Sequence, residues 1–296
     1  MSGATEVSTS LDRPLRDVDW YRQLWWNTGN FHPKAKWNEA TLPYALKTHV
    51  TLDEYIFQTD KHNVKGLWEW ENETVRVIKL PSDFHGKSVG TIVGELAIAF
   101  QAVRYTLSGV TFSEATTSKT HGGGKEPDAS LTPSGKPPVT SGGYDGKNKP
   151  WPNVVIEVAY SQTELELKKK VETYWLSNNR VHDVIAIKLN YTPDDTVPTE
   201  MTAWHYCVNN RTAVGAFTPI MYEFGTINRQ GDPINIVPGQ CVINIPLGCI
   251  YHGMPKDFLE IENAKLRQTM KEKSDLEAEN SKRKAENVKL KAEERN

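Results

Sequence analysis

At 296 residues the chain is long enough for one large domain or two ordinary ones, with a sizeable core in either case. Its net charge of -2 does not mark a protein that coats nucleic acid, although a compensated chain can still gather positive potential on one face. Cys207, Cys241 and Cys249 are too few, and odd in number, for a secreted disulfide framework. No apolar run resembles a signal peptide or spans a bilayer, so a soluble intracellular protein, cytoplasmic or nuclear, is expected.

Residues 1–50 scatter Trp20, Trp25, Trp26 and Trp37 among polar residues and prolines, as in an arm that wraps over a domain. Indole faces can stack on bases, but large aromatics more often bury against a core, and packing is the expectation here. Thr51-Leu52-Asp53-Glu54 has the form of a capping box and opens a helix to about Thr59. Leu67 to Glu71 and Glu73 to Leu80 read as strands joined by a hairpin turn at Asn72. A helix from about Ser88 to Leu107 follows, with Ile92, Leu96, Ala99, Val103 and Leu107 on one face. Glu95 is one position off that stripe and can border a site beside the helix.

Val110 to Phe112 and Asp128 to Leu131 are short strand candidates. Thr132 to Pro150 is dense in Pro, Gly, Ser and Lys, a composition that predicts a mobile loop. Its lysines, Lys136, Lys147 and Lys149, suit either a phosphate backbone or simple solvation of an exposed loop. Val154 to Val158 is apolar except for Glu157, as in a strand covered on both faces. A carboxylate there is costly unless it is paired or holds a metal. Ser161-Gln162-Thr163-Glu164 suggests a second capping box and a helix to about Leu176. On it Leu167, Val171 and Trp175 form the core stripe, with Lys170 and Tyr174 in the neighbouring row. Strands are expected at Val184 to Leu189, Thr202 to Val208, Met221 to Phe224 and Cys241 to Ile245. Residues 256–296 lack Gly and Pro after Asp257 and predict one long charged helix. Leu259, Leu266, Met270, Leu276 and Leu290, with Asn280 and Asn287, keep a heptad-like spacing, interrupted by Lys273 and Arg283. A weak parallel coiled coil that mates two copies is the expectation.

The chemistry of the buried acid follows from this order of elements. Phosphodiester hydrolysis needs a divalent cation, an oriented water and a stabilised leaving oxygen. Asp128 and Glu157 are hard oxygen ligands suited to Mg²⁺ if their strands adjoin, and Glu95 can add a third. Lys170 can then orient the water and offset phosphate charge. His85 reads as a helix-entry cap or a general base. His205 with Cys207, and Cys249 with His252, lack the paired knuckles of a strong zinc signal, and no zinc site is expected from them.

The ordered set of Glu126-Pro127-Asp128, the Glu157 strand, and Lys170 with Tyr174 resembles the PD-(D/E)XK nuclease superfamily, and more closely the Uma2 family, a group assigned to restriction endonucleases. The likeness runs from about Thr51 to His252, from the opening helix and hairpin through the histidine position at His85 to the turn Pro238-Gly239. One departure from the superfamily is Ala159, where a lysine is usual two residues after the second acid; Uma2-like chains place one on the next helix instead. Lys170 is the match, with Lys168 and Lys169 as alternatives. The resemblance implies a restriction-endonuclease-like α+β (α/β) fold, a mixed β-sheet flanked by helices, over residues 51–255. It also implies Mg²⁺ or Mn²⁺ and DNA cleavage, with Asp128 and Glu157 as acids and metal ligands, Lys170 as catalytic lysine, and Glu95, Tyr174 and His85 in support. The expected function is a metal-dependent endonuclease acting on DNA as a homodimer. The alternative is an inactive nuclease-fold module that binds nucleic acid or a protein partner.

Overall fold

The chain builds two β-sheets and crosses for the last time from the first to the second through the short stretch Glu126-Pro127-Asp128. The protein is described by a computed structural model over residues 18–32, 42–64, 66–80, 83–103, 109–114, 118–120, 123–177, 180–190, 198–237 and 239–293. Trp37 and the turn residue Pro238 lie outside these, as do the side chains of His85, Leu259, Asn287 and Leu290. The strands are β1 (Tyr44–Thr48), β2 (Trp68–Glu71), β3 (Thr74–Val77), β4 (Val110–Glu114), β5 (Ser118–Thr120), β6 (Gly123–Lys125), β7 (Ala129–Pro133), β8 (Val154–Ala159), β9 (Asp183–Asn190), β10 (Glu200–Cys207) and β11 (Ile220–Glu223). The helices are α1 (Val18–Thr28), α2 (Leu52–His62), α3 (Asp83–Val103), α4 (Glu164–Lys170), α5 (Leu247–Ile250) and α6 (Lys256–Glu293). No helix among the described residues is long and apolar enough to cross a membrane.

The first sheet runs β1-β3-β2-β6-β5 and the second β11-β10-β9-β8-β7-β4. Only β8 and β9 pair in parallel among the described ladders, and the helical segment after β8 is their crossover. The fold is therefore a mixed α+β arrangement with a long carboxyl-terminal helix.

Sequence dictates most of these elements locally. Thr51 caps α2 by accepting from Glu54 N at 3.2 Å. Asn72 and Glu73, at φ 47° and 58°, both take the left-handed conformation that a tight two-residue hairpin turn requires. The capping box before α4 sits two residues later than expected. Thr163 accepts from Glu166 N at 3.3 Å, and Glu166 accepts from Thr163 N at 3.2 Å. Thr163 wins because it, not Ser161, directly precedes the first helical turn.

All six residues of β8 are buried, which explains its apolar run. Val155 and Ala159 face Leu167, Val171 and Trp175 on one side. Val154, Ile156 and Val158 face Ile92, Val93 and Leu96 of α3 on the other. Alternation along the strand puts Glu157 on the first of these faces.

Residues 42–50 do more than wrap, because β1 pairs with β3 as the edge of the first sheet. Trp25 and Trp26 of α1 pack on Trp68 at ring distances of 5.9 and 5.5 Å. The loop expected to be mobile is held at several points. Asp145 accepts from Lys147 N and Lys149 N at 3.0 and 3.1 Å, Tyr144 is buried against Trp151, and Lys136 donates to Trp151 O at 2.7 Å and to Asn153. Burial pushes the Lys136 ammonium down to about 8. The strand expected at Cys241 to Ile245 does not form: its side chains alternate in burial, but α5 follows and no strand pairs with it among the described residues. Alternation reports which side faces the core, not whether a backbone partner exists.

Truncating Trp25 to Ala removes a fully buried indole and is expected to cost about 3–5 kcal/mol. Trp20→Ala, at an exposed position, should change stability by less than about 1 kcal/mol. Urea unfolding followed by far-UV circular dichroism separates the two.

Candidate active site

Stretches far apart in sequence deliver charged side chains to the seam between the sheets. Glu69 comes from β2, Lys79 follows β3, Asp128 closes the passage between the sheets, Glu157 stands on β8 and Lys170 is the last residue of α4. Their exposures run from 0% at Glu157 to 6% at Glu69 and Asp128.

Asp128 is clipped to β8 beyond the end of the β7 ladder. Its N–H donates to Ile156 O at 3.1 Å, and its Oδ2 accepts from Val158 N at 2.6 Å. The acid is thereby registered against the strand residue that carries Glu157. Lys79 Nζ donates to the two oxygens of Asp128 at 2.5 and 2.7 Å and lies 3.9 Å from Glu157 Oε2. Lys170 Nζ reaches Glu157 at 2.9 and 3.0 Å, Glu69 Oε1 at 2.7 Å, and the carbonyl of Glu126 at 3.3 Å. Lys125 Nζ holds the other oxygen of Glu69 at 2.7 Å. Three acids thus interlock with three lysines. The Glu126 carboxylate turns instead to the amide of Gly66.

The helix that carries Lys170 changes pitch immediately after it. Val171–Trp175 is a π turn, closed by a hydrogen bond from Leu176 N to Val171 O at 2.9 Å. The wider turn of i→i+5 bonding brings positions 170 and 175 closer to one side than a 3.6-residue turn does. Trp175 Nε1 consequently donates to Glu157 Oε1 at 2.7 Å beside Lys170. The Tyr174 hydroxyl meets Ser118 Oγ at 2.7 Å, and its ring lies under Lys125 at 5.4 Å.

Burial and ion pairing push the acids in opposite directions. Burial by itself would raise Glu69, but Lys170 and Lys125 override it and hold the carboxyl at about 2. Burial pushes Glu157 up, with Lys170 opposing and the Asp128 charge adding to the rise. Burial disfavours the Lys170 cation, yet Glu157, Glu69 and Asp128 keep it protonated far above neutral pH. Groups with divided proton affinities in one small space are the arrangement that acid and base chemistry uses.

Glu69 and Lys170 also line a cleft of about 200 Å³ together with Lys125, Gln162, Lys169 and Tyr174. Asp128 and Glu157 lie behind them. Hard carboxylate oxygens are the donors that Mg²⁺ and Mn²⁺ take. Asp128 and Glu157 flank one cation, the Lys79 ammonium, at 2.5 and 3.9 Å, so the donors fit a divalent ion in type.

Of the residues singled out in the sequence, Asp128, Glu157 and Lys170 are brought together. Lys168 pairs with Glu164 at 2.7 Å instead, and Lys169 reaches only the cleft. Glu95 is exposed on α3, and no hydrogen bond or ion pair joins it to the cluster among the described residues. The adjoining stripe residues Ile92 and Leu96 turn to the core, which leaves Glu95 facing outward. Glu69, Lys79, Lys125 and Trp175 were not read as site residues. The one local signal was Glu69, an acid between Trp68 and Trp70, both buried.

No protein-family model matches the chain, and neither does any curated protein. Among solved structures it is similar to a candidate nuclease belonging to DUF820 from Anabaena variabilis, at 14% identity and a TM-score of 0.40, over 72% of this chain and 99% of that one.

Because Glu69 stays ionised in the folded state down to about 2 against an ordinary 4.5, its contribution is complete above about pH 4.5 and is lost as pH falls toward 2. The stability difference between wild type and Glu69→Gln should therefore shrink across that interval, by up to about 3 kcal/mol. Urea midpoints taken at successive pH values measure it; a constant difference would contradict the pairing.

Proposed function

We propose that this chain is a metal-dependent endonuclease that hydrolyses DNA phosphodiester bonds at the seam cluster. The observation that supports this best is the convergence of Glu69, Asp128, Glu157 and Lys170, buried and ionically interlocked, at the back of a cleft. Stability alone does not favour such a cluster, since packed apolar residues of similar volume hold a core at least as well. Perturbed charges beside a cleft mark a site.

Asp128 and Glu157 would hold Mg²⁺ or Mn²⁺, with Glu69 in the third position that the sequence suggested for Glu95. The ion supplies neutralisation of the charge that develops on the phosphate. Lys170 stays a cation, so its part is to orient the attacking water and offset phosphate charge, not to take a proton. Tyr174 acts as a positioning residue through Ser118 and Lys125. Arg76, Lys125 and Lys169 line the same cleft and supply the positive charge that a DNA backbone meets there.

The carboxyl-terminal helix supports assembly of two copies. α6 runs for 38 residues and leaves Met270 and Leu276, two members of the heptad-spaced set, exposed by 65 and 60%. A parallel pair of such helices would bury them and bring two sites to the two strands of a duplex.

A second reading draws on Lys79. Its ammonium stands between Asp128 and Glu157 where a metal would sit, which favours a module that keeps the fold and binds nucleic acid or a partner without cutting. Incubation with supercoiled plasmid and Mg²⁺ or Mn²⁺ decides between them. Nicking is expected, with a loss of about 100-fold or more in Glu69→Ala, Asp128→Ala, Glu157→Ala and Lys170→Ala, and near-normal activity in Glu95→Ala. DNA binding without cleavage under every metal would establish the second reading. Deleting residues 256–296 should halve the mass measured by light scattering, beyond the loss of the deleted segment; an otherwise unchanged mass would reject the helix-mediated dimer.

A further inference from the structure

A second polar cluster lies on the opposite face of the same sheet. The β8–β9 register sets Glu157 beside Ala186 and Val154 beside Asp183, so Asp183 stands three residues, roughly 10 Å, along the strand from the carboxylate site. Alternation places it with Ile185 and Ile187 on the α3 side, away from Lys170.

Asp183 is fully buried and doubly bonded to histidines. Its Oδ2 is 2.6 Å from His182 Nδ1, and its Oδ1 is 2.7 Å from His205 Nε2. Cys207 Sγ lies 3.9 Å from His182 Nδ1. One ligand atom from each of His182, Asp183, Cys207 and Cys249 falls within 4.8 Å of the others, and all four residues are buried.

We propose that His182, Asp183, Cys207 and Cys249 form a structural zinc site that fastens α5 to β9 and β10. The donor set carries the choice of metal: two thiolates and an imidazole select zinc over magnesium or manganese, and four donors complete its tetrahedron. Zinc bonds of about 2.3 Å to sulfur and 2.0–2.1 Å to nitrogen set those two atoms about 3.6 Å apart in a tetrahedron. The Cys207–His182 separation of 3.9 Å is within a few tenths of that. The His182–Asp183 contact of 2.6 Å is shorter than two zinc ligands can be, because it is the length of a hydrogen bond. A cation takes the place of the proton in that contact, and the two groups part by about 0.7 Å to the spacing of zinc ligands.

The surroundings fit such a site. His205 donates to the second oxygen of Asp183, as outer partners of ligating carboxylates do. The ring of His252 lies 4.4 Å from that of His182. Asn153 Nδ2 donates to Ile250 O at 2.6 Å and His252 O at 2.9 Å, so the turn that carries Cys249 is held in place by contacts of its own. His182 also borders a polar cleft of about 460 Å³, lined as well by Lys136, Arg180 and Arg211. The sequence pattern concealed all this, since His205 and His252 flank the ligands while His182 and Asp183 supply them.

The full chain, purified and exhaustively exchanged, should retain about one zinc per molecule by mass spectrometry of the metal. Replacement by Co²⁺ should produce thiolate-to-cobalt charge-transfer absorption and the visible bands of a tetrahedral ion. Both signatures should persist in Cys241→Ser, whose thiol lies outside the cluster, and be lost in Cys207→Ser and Cys249→Ser. Wild-type protein that is folded by circular dichroism yet takes up no zinc, or whose cobalt form lacks thiolate absorption, overturns the proposal whatever the variants do. So does equal zinc content in the doubly substituted protein. None of these outcomes depends on nuclease activity.

Discussion

The interlocked acids and lysines at the seam are the constraint on which the rest of the molecule depends. Each of Glu69, Asp128 and Glu157 is removed from water and answered by an ammonium within 3 Å. Loss of a partner would weaken the compensation of a buried charge, at a cost of up to about 3–5 kcal/mol. The cluster therefore dictates how the two sheets meet. The hairpin of the first sheet must bring Glu69 inward, the passage through Glu126 to Asp128 must run past β8, and α4 must end where Lys170 reaches all of them.

Local devices satisfy that requirement one by one. Asp128 uses its own backbone and side chain to extend the β7–β8 ladder. The π turn after α4 aligns Lys170 with Trp175 so that both address one carboxylate. Apolar packing on both faces of β8 then holds the strand rigid, and Glu157 is the single charged residue in it. The resulting electrostatic asymmetry, with Glu69 pulled down by two lysines and Glu157 pushed up by burial, comes from position within one cluster and not from residue type.

The β8–β9 pair carries polar groups on both of its faces, and the two sets differ in kind. Ammonium and carboxylate groups answer each other at Glu157, whereas sulfur, imidazole and carboxylate gather around Asp183. Hard and soft donors are thus kept apart by the thickness of a sheet. The loop after β7 is tied to the second region, since Lys136 and Asn153 hold it against the chain that leaves α5 for the long helix.

Much of the fold was legible in the amino acids. The caps at Thr51, the turn at Asn72, the double-faced strand at Val154 to Ala159 and the long final helix all follow from short-range rules of period and turn chemistry. The contact of Glu157 with Lys170 was legible too, because a charge inside an apolar strand demands a partner and the next helix offered one; Asp128 was marked by the family resemblance, and folding brings it beside them. What the sequence could not show was anything set by contact across long separations. Glu69 and Lys79 lie 88 and 78 residues before Glu157 and reach it only because one hairpin docks against another sheet. Glu95 looked better placed than either, one step off a helical stripe, yet the packing of α3 turned it to solvent. His182 and Asp183 sat unmarked at a strand start until folding brought Cys207 and Cys249 to them. Period and propensity decide which side of an element is buried; only tertiary packing decides what it is buried against, and the chemistry of a site resides in that second choice.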